Sequence, residues 1–174
     1  MRLPLSVRRT SLVSGLLAAL LAGCGGGGDG RAIFGRAQDG LGRIRGGTVV
    51  MHATVHALVP VERSAERSAA KLPLSRLHLT RWVEHARRLA CASGLECAEA
   101  ELDVEAALRD LAPLLPSLPG DPDSIRSARV EVAVARRDGL PRRLHLHGEL
   151  EPGGLVPGSV PFDVELELRH PRAG

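Results

Sequence analysis

The chain has 174 residues, 44% of them hydrophobic and 25% charged, with a formal net charge of +3. That excess is entirely Arg2, Arg8 and Arg9, and beyond Cys24 basic and acidic residues balance, so no global basic field exists to attract nucleic acid. Only Phe34, Trp82 and Phe162 are aromatic, which leaves no stacking platform for bases or sugars and makes aliphatic side chains the lining of any apolar site.

Residues 1–23 have the layout of a secretory leader: a basic start, "MRLPLSVRRT", and an uncharged apolar run, "SLVSGLLAALLA". The run is too short to span a bilayer core of ~30 Å. Leu21-Ala22-Gly23-Cys24 resembles the lipobox of bacterial lipoproteins, in which the cysteine thiol takes a diacylglyceryl group before the leader is cut in front of it. On that resemblance Cys24 is the lipidated N-terminus, and the chain is tethered to a bacterial cell membrane on its extracytoplasmic side. Several acyl chains, each buried methylene adding roughly 0.8 kcal/mol, make such a tether close to permanent. An ordinary leader with an incidental cysteine is the alternative; Arg8-Arg9 also suggests twin-arginine export, but without the full surrounding pattern a general export leader fits better.

Residues 24–31 form a glycine-rich tether, and 32–174 are one domain in size. Ile33, Phe34, Ala37, Leu41 and Ile44 recur near helical spacing, although Gly35, Gly40 and Gly42 weaken the helix. "GTVVMHATVHALVP" then alternates, with Val49, Met51, Ala53, Val55, Ala57 and Val59 on one face, and predicts a long strand ending at Pro60. Residues 60–71 read as a polar loop in which "ERSAERSAAK" can form a short helix. "LPLSRLHLTRW" reads as a short edge strand because of Pro73. From Thr80 to about Ala90, Val83, Ala86, Leu89 and Ala90 suggest a helix.

"LECAEAEL" alternates as a strand, and Asp103 is placed to N-cap a helix carrying Val104, Leu108, Leu111 and Leu115 on its apolar side. Cys91 and Cys97, in "CASGLEC", suit a small disulfide-closed loop in an exported protein, with free thiols as the alternative. "SARVEVAVARR", Asp138-Gly139 and "PRRLHLHGEL" read as a hairpin. "SVPFDVELELR" follows as a strand with Val160, Phe162, Val164, Leu166 and Leu168 on one face. The expected fold is α+β: an antiparallel meander with one greasy face packed on two or three helices.

Sites of chemistry are scarce. His145 and His147 stand two apart on a strand, about 6.8 Å from each other on one face, a spacing able to chelate a metal. The simpler reading places them, with His52 and His56, on wet strand faces where His145, His147 and Glu149 meet the acids of the last strand; on it no metal or other cofactor is expected. Glu165 and Glu167 likewise follow strand alternation. No G-x-S-x-G, H-E-x-x-H or P-loop pattern occurs, and no enzymatic activity is expected.

In order and kind, "FGRAQDGLGRIRGGTVVMHATVHALV", "KLPLSRLHLTRWVE", "ELDVEAALRDL", "IRSARVEVAVARRDGLPRRLHLHGEL" and "VPFDVELEL" resemble the exported lipoproteins of the LppX/LprG type, related in fold to the LolA and LolB carriers. The resemblance implies a curved half-barrel sheet closing over helices, and an apolar cavity for acyl chains of lipids, glycolipids or a lipoprotein. The expected lining is Val49, Met51, Val55, Val130, Val132, Leu144, Leu146, Phe162, Val164 and Leu166. The chain is then a monomeric, non-catalytic lipid-binding module. The alternative is a protein-binding envelope lipoprotein whose core is filled and takes no ligand.

Overall fold

A computed structural model describes residues 29–111, 124–151 and 158–174. Helix α1 (Gly30–Arg43) leads into β1 (Ile44–Val55) and β2 (Val61–Ser68). Two 3-10 turns, Ala69–Lys71 and Leu74–Arg76, and the single-turn α2 (Leu79–Trp82) carry the chain to β3 (Val83–Leu89) and β4 (Leu95–Leu102). Helix α3 (Val104–Leu111), β5 (Ile125–Ala135), β6 (Pro141–Leu150) and β7 (Val160–Ala173) complete the described chain. The strands form one curved, unclosed antiparallel sheet in the order β2-β1-β7-β6-β5-β4-β3. The α+β class and the one-faced meander are as the alternation predicts.

The strictly alternating segments form strands because one register buries every second side chain. Met51 pairs with Leu166, Leu166 with Leu144, Leu144 with Val132 and Val132 with Ala98, a continuous aliphatic row across five strands. Against this face lies α1, which touches β3, β4 and β5 and buries Ile33, Phe34, Ala37 and Leu41. Asp29 caps it, its carboxylate accepting from the Ala32 N–H at 3.3 Å. The helix starts at Gly30, already buried, inside the stretch expected to be tether.

Two of its glycines are contact points. A Cβ on Gly30 would stand 2.7 Å from the backbone of Arg87, and one on Gly40 2.5 Å from the carbonyl oxygen of Gly139. The helix lies so close to the sheet because these positions lack side chains.

Four expectations are corrected. The first strand ends at Val55, and His56–Pro60 turn back as a hairpin loop instead of extending the strand. Residues 61–68 are neither loop nor helix but the edge strand β2, paired residue for residue with β1 from Thr48↔Ser68 to Val55↔Val61. Its charges, Glu62, Arg63, Glu66 and Arg67, protect the open edge from further pairing.

The expected edge strand at 72–82 is replaced by the two 3-10 turns and α2. Leu74, Leu77, Leu79 and Trp82, spaced by two or three, all turn inward and are buried. Of the expected helix at 80–90 only Thr80 to Trp82 are helical, as the end of α2, and Val83–Leu89 form β3. A bulge between Glu84 and Arg87 inserts one residue, so that Val83 and Ala86, three apart, both face the core, a spacing that imitates a helical turn.

Asp103 caps α3 as expected, accepting from the Ala106 N–H at 3.0 Å. The buried stripe of that helix runs through Ala107 and Leu111, with Val104 and Leu108 half-buried. Leu115 lies outside the described residues. Asp138 and Gly139, the latter at φ 67°, sit in the β5–β6 turn as the sequence predicts.

Candidate functional site

The inner face of the sheet holds the ten residues expected to line a cavity. Val49, Met51, Val130, Val132, Leu144, Leu146, Val164 and Leu166 are buried and belong to one core cluster with Phe34, Leu79 and Trp82. Phe162 is half-buried against that cluster, and Val55, its partner in the register, is also half-buried. The aliphatic row therefore loses its cover toward one end of the sheet. There the β1–β2 hairpin projects Leu58, fully exposed, with Val59 and Val61 exposed beside it. The His56 N–H donating to the Pro161 carbonyl at 2.9 Å ties this hairpin to the start of β7.

The outer face is polar. Asp163 on β7 accepts from two imidazoles, His56 Nε2 at 2.8 Å and His145 Nε2 at 2.9 Å. Burial pushes the Asp163 carboxyl up, but these two partners together outweigh it and hold its pKa below the ordinary value. This is the expected meeting of His145 with an acid of the last strand. On the neighbouring strands Glu131 stands opposite His145 in the register, and Arg143 reaches Glu131 at 3.9 Å and Glu165 at 3.8 Å. Glu167, paired with Arg169 at 2.8 Å, titrates below its usual range because of that hydrogen bond.

Further along this face Glu99 is the one buried charge among the described residues, held by Arg87 and by Arg129 at 3.6 Å. Cys91, just past β3, and Cys97 on β4 lie at disulfide distance with their Cα atoms 6.0 Å apart, closing the loop between the two strands. Cys24 lies outside the described residues.

Three features are absent from the sequence reading. Asp110 joins α3 to α2: its Oδ2 accepts from the His78 N–H at 2.9 Å, the His78 ring at 3.1 Å and the Trp82 indole N–H at 2.9 Å. Gln38 on α1 accepts from the Thr80 N–H and hydroxyl. An open cleft of about 620 Å³ lies where β1 and β7 bulge apart; Arg45, His170 and Arg172 line it and no acid does. The positive φ of Gly47, 114°, marks that bulge and is the kind of signal a glycine pair in a strand provides.

No described helix is long and apolar enough to cross a membrane. No known family matches the chain, and no curated protein matches it in sequence.

Proposed function

We propose that the chain is an extracytoplasmic lipoprotein, anchored to a bacterial membrane through Cys24, whose half-barrel domain binds acyl chains of lipids, glycolipids or a lipoprotein. The observation that carries this reading is the aliphatic inner face running, through half-buried Val55 and Phe162, to the exposed Leu58 and Val59 of the β1–β2 hairpin. An alkyl chain gains about 0.8 kcal/mol per methylene moved from water onto such a surface. The leader and the Leu21-Ala22-Gly23-Cys24 motif supply the anchoring half of the proposal. The ligand class rests on the resemblance of the segment order to LppX/LprG-type lipoproteins and the LolA and LolB carriers, read from the sequence alone.

The test is native mass spectrometry of protein purified from a bacterial envelope, with uptake of a fluorescent fatty acid as the second measurement. Co-purifying acyl species and saturable uptake are expected. A clean unliganded mass together with no uptake overturns the lipid reading.

A second reading has its own observation. Trp82, Phe34 and Leu79 are fully buried against the sheet, as in a domain that fills its core and acts through protein contacts. On this reading the fatty acid does not bind, and substitutions in a surface loop remove a protein partner.

A further inference from the structure

The geometry points to a binding site for a single divalent transition-metal ion on the outer face of the sheet, built by Glu131 of β5 and His145 and His147 of β6. One donor atom from each of the three side chains lies within 4.8 Å of the other two. The fold brings them together by two regular relationships: His145 and His147 are i and i+2 on one strand, their rings 5.2 Å apart, and Glu131 is directly opposite His145. A tetrahedral ion with ligands at about 2.0 to 2.1 Å needs its donors about 3.3 Å apart. Side-chain rotations that bring the donors up to about 1.5 Å closer together complete the set.

Two further observations favour an ion over a plain polar surface. His147 Nδ1 is buried and has no hydrogen-bond partner, an unusual state for an imidazole nitrogen and the expected one for a ligand atom awaiting a cation. Asp163 occupies Nε2 of His145, which fixes the tautomer and leaves the lone pair on Nδ1. A carboxylate behind a ligating imidazole is the usual second partner in metal centres.

Two imidazoles and one carboxylate suit Zn²⁺, Ni²⁺ or Cu²⁺ and disfavour Mg²⁺ and Ca²⁺, which take oxygen donors. All three residues are half-buried, so a fourth position is open to water or an exogenous ligand. Arg143, 3.9 Å from Glu131, competes with the ion for that carboxylate. The site spans β5 and β6 on the face opposite the aliphatic row, so it is independent of acyl-chain binding.

The test is zinc titration of the untagged full chain, followed by competition with a chromogenic chelator and by the thermal shift on adding zinc. One ion per chain is expected. His147→Gln and Glu131→Gln should each weaken binding at least tenfold, Asp163→Asn about tenfold as an outer partner, and His52→Gln not at all, while Arg143→Gln should tighten it. Histidine modification by diethyl pyrocarbonate gives a readout that needs no variant: zinc should protect His145 and His147 and leave His52 reactive. Zinc binding of equal strength in the wild type and the His145→Gln/His147→Gln double variant overturns the proposal. So does equal modification of His145 and His147 with and without zinc.

Discussion

The indole N–H of Trp82 donates to Oδ2 of Asp110 at 2.9 Å, joining the last residue of α2 to α3. Trp82 is fully buried, so its polar atom has no recourse to water if that oxygen is removed. Asp110→Ala is expected to destabilise the fold by about 1 to 3 kcal/mol, the cost of an unsatisfied buried donor. Asp110→Asn, which keeps an acceptor, should cost less. Urea unfolding followed by the fluorescence of Trp82, the chain's single tryptophan, reads both.

The same carboxylate gives stability a pH dependence. Burial, the largest single influence on Asp110, pushes its pKa up, but the His78 N–H, the Trp82 indole and the His78 ring together hold it below the ordinary value. A folded pKa below the unfolded value of about 3.9 contributes stability that is present above the unfolded pKa and lost as pH falls through the folded one. Thermal melts from pH 5 down to pH 2 should show a falling Tm, and Asp110→Asn should flatten the curve. An unchanged slope in that variant would refute the assignment.

Gly40 and Gly35 lie on the same helix and should respond oppositely to alanine. A Cβ at Gly35 meets nothing within 4 Å, whereas one at Gly40 meets the Gly139 carbonyl and the Pro141 ring. Gly35→Ala should therefore stabilise by about 0.5 to 1 kcal/mol through helix propensity. Gly40→Ala should destabilise despite the same propensity gain, because the β5–β6 turn must move aside. Denaturant midpoints of the two variants against the wild type decide it.

Reducing the Cys91–Cys97 pair should lower stability by about 2 kcal/mol, the chain-entropy value for so short a loop. The β3–β4 register, Leu89↔Cys97 among its pairs, should survive, so amide exchange should quicken mainly at that end of the hairpin. Mass analysis of alkylated protein, before and after reductant, establishes the bridge itself.

Leu58→Glu and Val59→Glu change side chains that touch little and should leave the melting temperature within the small range of ordinary surface substitutions. In protein produced without the Cys24 acyl anchor, a hairpin that meets bilayers should carry the wild type down with lipid vesicles, and both variants should lose that co-sedimentation. Retained co-sedimentation would remove the hairpin from the functional proposal.

Alternation made the central strands legible, although burial itself is not strictly alternate: β4 buries Cys97 to Ala100 in a row and β5 Val132 to Ala135. It failed where something other than burial sets the pairing. β2 has only Ala65 packed on the core, so its period is invisible and its composition reads as helix or loop. β3 hides behind a one-residue bulge that turns a period of two into a spacing of three. Of the candidate outer-face site, the histidine pair was visible because its members share one strand. Glu131 was not associated with them, because which residue of β5 stands opposite His145 depends on cross-strand register. Asp110 and Trp82, on separate short helices, carry no local signal of their meeting.

The interior place of β7, between β1 and β6, bears on how the protein comes into being. Among the described strands β1 and β2 come first in the chain, yet the second neighbour of β1 is β7, the last of them, with Val49 opposite Leu168. Until the C-terminal segment arrives, the first hairpin has one open flank and half its backbone ladder missing. Pairings this remote in sequence close late and slow folding, so the β1–β7 seam should form after the local pairs β1–β2 and β5–β6. On the proposal that the chain is exported, such a delay keeps it in a transportable state.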